Sequence, residues 1–591
     1  MSTDWAKLKA KRASRAGTSP AAAASVPPPS SSNANDATSS HRTEAQAATV
    51  ASSTRLDYCH PDLPPSLAVH QIPLRGRGVV AQQSYSPGAT LLSTVPLVSV
   101  LDNRNLSQRC SNCYRSSEDT LEQRILSQCS LCHIVQYCSA ACQTRDWRLH
   151  KLECKALRNM AATAREKGKG KAKAAFVPDT PLRAIGRLLW LSELEGPALW
   201  EQIDSLESHR EKLTLEEQER FFHLSIGVAG YVGQPTVLKW CKDSAALIDL
   251  LSRFTSNSFS LTSPTDLTNI GVSISPLTAL FNHSCRPNAV VVFPVFPAVP
   301  STLSPASNAG IGNMRVVAIR PIGKGEEVVT SYVDLALPGP MRRDELRERY
   351  KFECRCEACG DEDNGGGSVD PRKSFVCPRS GCDGLLNMID GGGEATCSQC
   401  CEICQVPDVG GALEAAKNAH DEADKTQYSD PAAALINLSN SISSLGSFSP
   451  ALSPASYPLF HASSMALTLQ IHSRDFATAF RTALSAWHGA TQLYSYGHPV
   501  RCILSSTIAQ LAAIPPADPT PEADLEYWSN LKDRTAGLRM MVEALKECEI
   551  GFGTSKGGGG GGGQVGAKLR RLIRDQEEGI AMARKVAREL Q

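Results

Sequence analysis

The sequence is most distinctive at Phe281-Asn282-His283-Ser284-Cys285-Arg286-Pro287-Asn288, a polar string that directly follows an apolar run ending at Leu280. Alone, this string would fit a structural loop. Two other stretches share its unusual character. Upstream, Arg75-Gly76-Arg77-Gly78-Val79-Val80 combines small residues, which permit close backbone approach to a ligand, with guanidinium groups that can bind a carboxylate. Downstream, Gly325-Glu326-Glu327-Val328-Val329-Thr330-Ser331-Tyr332 is typical of a turn into a strand that ends at a tyrosine.

A cluster of soft metal ligands occupies residues 110–154. Its ligands form four closely spaced pairs: Cys110-x2-Cys113, Cys129-x2-Cys132, Cys138-x3-Cys142 and His150-x3-Cys154. Thiolate and imidazole are the ligands that zinc prefers, and a closed Cys/His set is structural rather than catalytic. A domain of about 45 residues cannot build an adequate apolar core, so zinc would supply its folding energy. The spacing therefore predicts two tetrahedral zinc sites.

A second cysteine zone covers residues 354–404. It opens with Cys354-x-Cys356-x2-Cys359, which leaves a tetrahedral zinc one ligand short, so a fourth ligand must come from elsewhere in the chain. Further on, a ribbon-like set offers Cys377, Cys382, Cys397 and Cys400, with Cys401 and Cys404 as substitutes. This second set predicts a further zinc site.

Two resemblances rest on these strings. Tyr137-Cys138-Ser139, Cys142-Gln143, Trp147 and His150-Lys151-x-Glu153-Cys154 resemble the MYND zinc finger. The three stretches quoted first, in their order and followed by Cys-x-Cys-x2-Cys, resemble the SET domain of protein lysine methyltransferases. With the finger inserted after the first stretch, residues 67–360 resemble the SET and MYND (SMYD) family. Asn257-Ser258-Phe259 and Tyr350-Lys351-Phe352-Glu353-Cys354 fit the same family.

The resemblance implies the zinc ligand sets. In the finger the pairs would interleave, with Cys110, Cys113, Cys138 and Cys142 on one zinc and Cys129, Cys132, His150 and Cys154 on the other. The third zinc would be held by Cys285, Cys354, Cys356 and Cys359. This third zinc would tie the Asn-His stretch to the segment that carries Tyr350 and Phe352.

The resemblance also implies an S-adenosylmethionine pocket. Arg75, Gly76 and Arg77 would line it, and Asn282 and His283 would hold the cofactor largely through backbone and amide hydrogen bonds, with Asn257 nearby. Phe352 would stack on the adenine. Tyr332 would be the active-site tyrosine, and Tyr350 would form a second wall of the lysine channel.

Composition limits the function classes. The chain carries 61 Lys plus Arg against 60 Asp plus Glu, a net charge of +1, which argues against a nucleic-acid coating protein. No run approaches the roughly 20 apolar residues that span a bilayer, and the N-terminus lacks the apolar region of a signal peptide. We therefore expect a nuclear or cytoplasmic location. There the 21 cysteines are expected as metal ligands rather than disulfides.

The sequence predicts an α+β protein: a SET-domain β-fold core with an inserted MYND zinc finger, a post-SET zinc site, a ribbon-like zinc module and an α-helical, TPR-like C-terminal lobe. The predicted segments are a disordered tail (1–55), the SET N-terminal part (67–105), the finger (110–154), a helical SET insertion (175–250), the SET core (251–336), the post-SET zinc motif (341–360), the ribbon-like segment (377–404), the helical lobe (411–550), a flexible Gly linker (557–563) and a terminal helix (564–591).

The predicted function is S-adenosylmethionine-dependent N-methylation of lysine in histone or non-histone proteins. The alternative is a non-catalytic adaptor that recruits partners through the finger and the helical lobe. The expected cofactors are S-adenosylmethionine and Zn²⁺, at three sites with a fourth in the ribbon. The expected partners are a protein substrate and proline-rich peptides on the finger, with the protein itself a monomer.

Overall fold

The structure is a computed structural model that describes residues 62–117, 125–167, 177–296, 314–363, 369–514, 531–554 and 560–589. The predicted disordered tail (1–55) and the start of the predicted Gly linker lie outside the described residues. No helix in these ranges combines the length and the apolar character needed to cross a membrane.

Short strands dominate the first part of the chain and two small hairpins follow. In chain order they are β1 (Leu67–Ile72), β2 (Gly76–Ala81), β3 (Thr90–Thr94), β4 (Val98–Leu101), β5 (Ser127–Gln128), β6 (Gln136–Tyr137), β7 (Ser258–Thr262), β8 (Asn269–Ile274), β9 (Asn282–His283), β10 (Ala289–Val292), β11 (Met314–Ala318), β12 (Val329–Thr330), β13 (Ser374–Val376), β14 (Leu385–Asn387), β15 (Gly393–Thr396) and β16 (Ile403–Val406). The strands form two-stranded pairs and the three-stranded sheets β10-β11-β3 and β4-β8-β7.

Helices fill the finger, the insertion and the C-terminal half. They are α1 (Ala140–Lys167), α2 (Thr180–Glu195), α3 (Pro197–Asp204), α4 (Leu215–Val232), α5 (Gln234–Trp240), α6 (Ser244–Asn257), α7 (Gly339–Glu345), α8 (Glu357–Asp363), α9 (Gly410–Thr426), α10 (Pro431–Leu445), α11 (Leu459–His472), α12 (Phe476–Leu493), α13 (Pro499–Leu511), α14 (Leu531–Gly551) and α15 (Gly563–Glu589). A π-helical turn over Leu346–Tyr350 follows α7.

Local sequence explains several of these elements. In β1, the buried Leu67 and Val69 alternate with more exposed residues, as one face of a strand requires. Helix α2 has a proline at its start and buries Ile185, Leu188 and Leu189 at helical spacing. These apolar residues face the core that the helical insertion shares with β4 and β8.

The fold brings the three distinctive stretches together. β9 pairs in parallel with β12, so that Asn282 lies opposite Val329 and His283 opposite Thr330. The first half of the third stretch also bonds to β2, since Val328 N–H donates to the Val79 carbonyl and Ala81 N–H donates to the Glu326 carbonyl. Main-chain bonds therefore fix the relative positions of stretches that lie far apart in the sequence.

The C-terminal half consists of the two hairpins β13–β14 and β15–β16, followed by helices that each pack on the next from α9 to α15. The last helices also cover the sheet β10-β11-β3. Val292 and Val317 from that sheet share one core with Met541, Phe552 and Leu569.

The end of the glycine run differs from the predicted flexible linker. Gly562 N–H donates to the Gly553 carbonyl, Gln564 N–H donates to the Pro294 carbonyl at 2.7 Å, and Arg570 donates to the Gly561 carbonyl. A Cβ on Gly563 would lie 2.4 Å from the Pro294 carbonyl oxygen. Residues 560–563 therefore form a packed turn into α15, because glycine allows main chains to approach more closely than any other residue.

Candidate active site and metal centres

Four groups of cysteine and histidine side chains could each hold a metal ion. Within each group the ligand atoms lie within 4.8 Å of one another. The groups are Cys110, Cys113, Cys138 and Cys142; Cys129, Cys132, His150 and Cys154; Cys285, Cys354, Cys356 and Cys359; and Cys377, Cys382, Cys397 and Cys400. These are the ligand sets given above from the resemblance and from the ribbon spacing. Metal binding itself stays a prediction.

The distances between sulfurs suit zinc. Sulfurs placed 2.3 Å from a tetrahedral centre are about 3.8 Å apart, whereas a disulfide needs about 2.0 Å. The separation is 3.7 Å for Cys285–Cys359, for Cys377–Cys400 and for Cys382–Cys397. The same pattern appears in the finger, where Cys138 and Cys142 are 3.6 Å apart.

The ribbon group has further features of a metal knuckle. Gly384 N–H donates to Cys382 Sγ and Gln399 N–H donates to Cys397 Sγ, each at 3.4 Å. Backbone N–H groups of Cys400 and Gln399 lower the pKa of Cys397 to about 6. Such bonds favour thiolate, which is the form that binds a metal.

A buried ionic network joins the finger to the helical insertion. Glu153, on α1, accepts bonds from Arg183 Nε at 3.1 Å and Arg187 Nη2 at 2.6 Å. Arg187 also donates to both oxygens of Asp146. Glu153 Oε2 lies 3.4 Å from His150 Nδ1, so the same carboxylate can orient a candidate zinc ligand.

A cavity of about 720 Å³ lies where the three distinctive stretches meet. The nine residues predicted from the sequence for the cofactor and the channel all line it: Arg75, Gly76, Arg77, Asn257, Asn282, His283, Tyr332, Tyr350 and Phe352. The structure therefore brings all of them to one place. Their individual roles stay predictions.

Glu327 organises one side of this cavity. Its Oε2 accepts a bond from Arg75 Nη1 at 3.0 Å, and its Oε1 accepts one from Asn282 Nδ2 at 2.8 Å. Asn282 Nδ2 also donates to the Arg77 carbonyl. A Cβ on Gly78 would come within 2.7 Å of both Asn282 Nδ2 and Glu327 Oε1. This close approach explains why residue 78, within β2, is a glycine.

The His283 ring links the third cysteine group to the tyrosine segment. Its Nδ1 accepts a bond from Tyr332 N–H at 3.0 Å, so the ring proton must sit on Nε2, which lies 3.3 Å from Cys285 Sγ. Both ring nitrogens therefore already have partners within the protein. Asn257 is similar, because its Nδ2 donates to the Glu207 and Arg253 carbonyls. A ligand could therefore bond to the main chain of either residue, or to the Oδ1 of Asn257.

Three aromatic rings form the other side of the cavity. The Tyr332 and Tyr350 rings are 4.9 Å apart, and Phe352 stands perpendicular to Tyr332 at 6.5 Å. Tyr332 donates from its hydroxyl to the Phe281 carbonyl at 2.7 Å. Burial raises the pKa of both tyrosines. Both hydroxyls are therefore protonated at neutral pH and cannot act as bases.

The cavity also contains an unpaired buried nitrogen. His209 Nδ1 has no hydrogen-bond partner among the described residues, and its ring lines the cavity beside Lys212. Burial and the Lys212 charge lower the pKa of His209, so the ring is neutral. An unsatisfied buried polar atom is costly, which favours a polar ligand at this position. This nitrogen and the two arginines can bind polar groups of a ligand, and the aromatic side of the cavity can pack against an aromatic ring.

Sequence reasoning missed Glu327, His209 and Lys212 as contributors. Glu327 lies inside a quoted stretch, and its position beside the strand that reaches Tyr332 was the available signal. His209 and Lys212 lie in the loop between α3 and α4, where nothing in the local pattern points to a ligand.

Comparison with known proteins gives a family match over the same region. The SET domain family matches residues 76–333. Histone-lysine N-methyltransferase ASHR1 of Arabidopsis thaliana is 28% identical over 333 residues, covering 54% of this chain and 61% of the relative. N-lysine methyltransferase SMYD2 of Homo sapiens is 30% identical over 315 residues, covering 52% and 63%. The chain thus spans less than two thirds of the length of these curated relatives.

A solved structure was also matched. The crystal structure of the SET domain of LSMT bound to lysine and AdoHcy aligns with 78% of this chain and 90% of its own, at 13% identity and a TM-score of 0.24. The sequence matches confirm the resemblance to the SET and MYND family that was read from the motifs.

Proposed function

We propose that the protein is an S-adenosylmethionine-dependent protein-lysine N-methyltransferase whose catalytic domain lies within residues 76–333, the part that matches the SET domain family. The observation that carries this proposal is the cavity in which two tyrosines and a phenylalanine face two arginines and the Asn282–His283 strand. The printed names of the relatives, a histone-lysine and an N-lysine methyltransferase, support the same reaction class.

The residues that would hold the cofactor are those along the arginine side and the aromatic side of the cavity. Arg75 and Arg77 suit its carboxylate, the main chain at Asn282 and His283 suits its polar edge, and Phe352 suits its adenine. When bound, the cofactor supplies an electrophilic methyl group on a positively charged sulfur.

The protein's task is to present an uncharged lysine amine in line with that methyl group. Free lysine has a pKa of about 10.4, so deprotonation at pH 7 costs about 4.6 kcal/mol. An aromatic channel lowers this cost, because low polarity disfavours the ammonium form. Tyr350 is buried, Tyr332 is partly buried, and both hydroxyls remain protonated. Their contribution is therefore to orient the amine, and water would accept its proton.

The third zinc would position Tyr332. A metal at the Cys285 group would fix Cys285, whose sulfur the His283 ring bridges to the Tyr332 main chain, and through Cys354 it would fix the end of the segment that carries Tyr350 and Phe352. Alignment of reacting groups contributes several kcal/mol to catalysis, so this support matters for rate.

The finer assignments belong to the same proposal. The finger is of the MYND type and takes proline-rich peptides, the helical lobe is TPR-like, and the substrate is a histone or non-histone protein. The enzyme is a monomer of the nucleus or cytoplasm. Support comes from the interleaved ligand pairs of the finger and from the successive packed helices of the lobe.

The test compares the wild type with Tyr332→Phe. Calorimetry with S-adenosylhomocysteine should give binding for both proteins, within about a twofold difference, because the lost hydroxyl bonds to the Phe281 carbonyl. Mass spectrometry of a histone and non-histone mixture, incubated with labelled S-adenosylmethionine, should show lysine methylation that falls on the order of tenfold or more in the variant. A wild type that neither binds nor transfers would instead support the adaptor alternative.

A further inference from the structure

Lys351 lies between two residues of the cavity, and the backbone turns there. It ends the π-helical turn Leu346–Tyr350 in the left-handed conformation, with φ 58° and ψ 32°. The residues before and after it, Tyr350 and Phe352, line the main cavity, whereas Lys351 lines a separate small depression together with Glu217. The reversal at Lys351 thus lets the aromatic residues on either side of it line the same cavity.

An ion pair holds this turn against the helical insertion. Lys351 Nζ donates to Glu217 Oε1 at 2.7 Å and to Oε2 at 2.8 Å. The two side chains are only 11% and 18% exposed, so the pair is shielded from water, unlike a surface ion pair. Lys212 adds a long contact of 3.5 Å from its Nζ to the Lys351 carbonyl.

Glu217 is a fixed anchor rather than a mobile side chain. It belongs to the capping box of α4: Thr214 N–H donates to Glu217 Oε2 at 2.9 Å, and Glu217 N–H donates to Thr214 Oγ1 at 3.3 Å. Burial opposes the charge of Glu217, but the bonds from Lys351 and Thr214 outweigh it and lower the pKa of Glu217. The carboxylate is therefore ionised at neutral pH.

The left-handed conformation of Lys351 is disfavoured, so an anchor stabilises it. Residues with a Cβ disfavour the left-handed region, and lysine has no side-chain group that bonds locally to stabilise it as asparagine does. Without the ion pair, the turn would relax toward ordinary backbone angles. Such a change would rotate Phe352 relative to Tyr350, since only one residue separates them.

We propose that Glu217 and Lys351 are positioning residues whose ion pair sets the place of Phe352 and Tyr350 in the cavity. The inference rests on the methyltransferase function proposed above. It assigns to the helical insertion, through α4, a part in cofactor binding that no contact between α4 and the cavity would reveal.

The test measures the affinity for S-adenosylhomocysteine by calorimetry. Lys351→Met keeps the length of the stem and removes the charge, and Glu217→Gln keeps the shape and the cap. Each should raise Kd about tenfold or more, and the double variant should be no weaker than the worse single one, because both changes break the same contact. Steady-state rates should show a raised KM for the cofactor together with a lower kcat, because Phe352 and Tyr350 would both be displaced.

Matched variants separate positioning from general destabilisation. Thr214→Ala weakens the α4 cap but leaves Lys351 paired, so its Kd should equal that of the wild type. Lys351→Arg, which can form the same two bonds, should recover most of the affinity. Thermal unfolding checks that each variant folds. If Lys351→Met does not fold, Glu217→Gln decides.

The outcomes are distinguishable. A wild type with no affinity for S-adenosylhomocysteine would overturn the proposed function. A wild type that binds, with Lys351→Met and Glu217→Gln binding equally well, would overturn the positioning role alone. Affinity losses that add in the double variant, or a loss in Thr214→Ala as large as in Glu217→Gln, would likewise overturn it.

Discussion

The buried network of Glu153 offers a demanding test of what holds the finger to the rest of the protein. The Glu153 side chain is fully buried, and its partners Arg183 and Arg187 are 2% and 7% exposed. Glu153→Gln keeps the volume but removes the charge and turns an NH2 group toward a guanidinium. A surface pair joins the same two helices, because Arg148 of α1 contacts Glu195 of α2 at 2.7 Å with 61% and 41% exposure. Glu195→Gln is therefore a matched control.

The magnitudes follow from burial. Removing one partner of a buried ion pair costs about 3–5 kcal/mol, because the other charge is left uncompensated. Glutamine still accepts one bond and Arg187 keeps its bonds to Asp146, so we expect the lower end, about 3 kcal/mol. The exposed pair should cost less than about 1 kcal/mol in Glu195→Gln.

Hydrogen–deuterium exchange of the zinc-loaded protein resolves this region. A loss of about 3 kcal/mol should speed exchange in α1 and α2 by a factor on the order of a hundred in Glu153→Gln, since 1.4 kcal/mol is tenfold. Glu195→Gln should change it only a few-fold. If both variants exchange at the same rate, the buried network does not hold the finger in place, and the reasoning from burial fails.

Three further substitutions test other parts of the structure. Gly78→Ala should lower the free energy of unfolding in urea by about 1–3 kcal/mol, because the added methyl group would come within 2.7 Å of Glu327 Oε1. It should also weaken S-adenosylhomocysteine binding in calorimetry. Unchanged stability and affinity would contradict this packing. Cys397→Ser should lower the zinc content, measured by elemental analysis, by one equivalent per chain, and an unchanged content would argue against a metal in the ribbon. Burial lowers the pKa of His498 from 6.5 to about 4. Protons therefore bind more readily to the unfolded chain, and the free energy of unfolding decreases as the pH decreases. Between pH 7 and pH 5 the wild type should lose roughly 2 kcal/mol more unfolding free energy than His498→Asn, and equal acid sensitivity would be the contrary result.

The metal groups were accessible from sequence because their ligands are partly local. Cys-x2-Cys spacing places two sulfurs within one turn, so Cys397 and Cys400 could be paired without knowledge of the fold. The choice of Cys285 for the third site was different in kind. It depended on the family resemblance, because no spacing rule connects that residue to a group that begins at Cys354.

Other contacts could not be predicted, because topology alone creates them. Arg75 and Glu327 are 252 positions apart, and Glu217 and Lys351 are 134 apart. In sequence, each is an ordinary charged residue, and any of many acidic residues could have been its partner. The packed turn at Gly560–Gly563 was missed for a related reason: a glycine run looks flexible until a neighbouring carbonyl, here that of Pro294, requires the close approach.

The third metal group shows why the candidate site needs more than packing to assemble. Cys285 and Cys359 are 74 positions apart, and closing a loop of that length costs about 4 kcal/mol in chain entropy. The segment from Tyr350 to Cys359 contains little regular structure and buries few large side chains to offset this cost. Structural zinc contributes about 10–16 kcal/mol in small domains, which exceeds the closure cost. Because the His283 ring connects Cys285 to the Tyr332 main chain, a metal at this group would also stabilise the position of the proposed catalytic tyrosine. Chelation should therefore disorder the tyrosine side of the cavity before it unfolds the sheet β10-β11-β3, because most buried residues of that sheet pack in two cores without candidate metal ligands among the described residues and only its Met314 end packs against the finger.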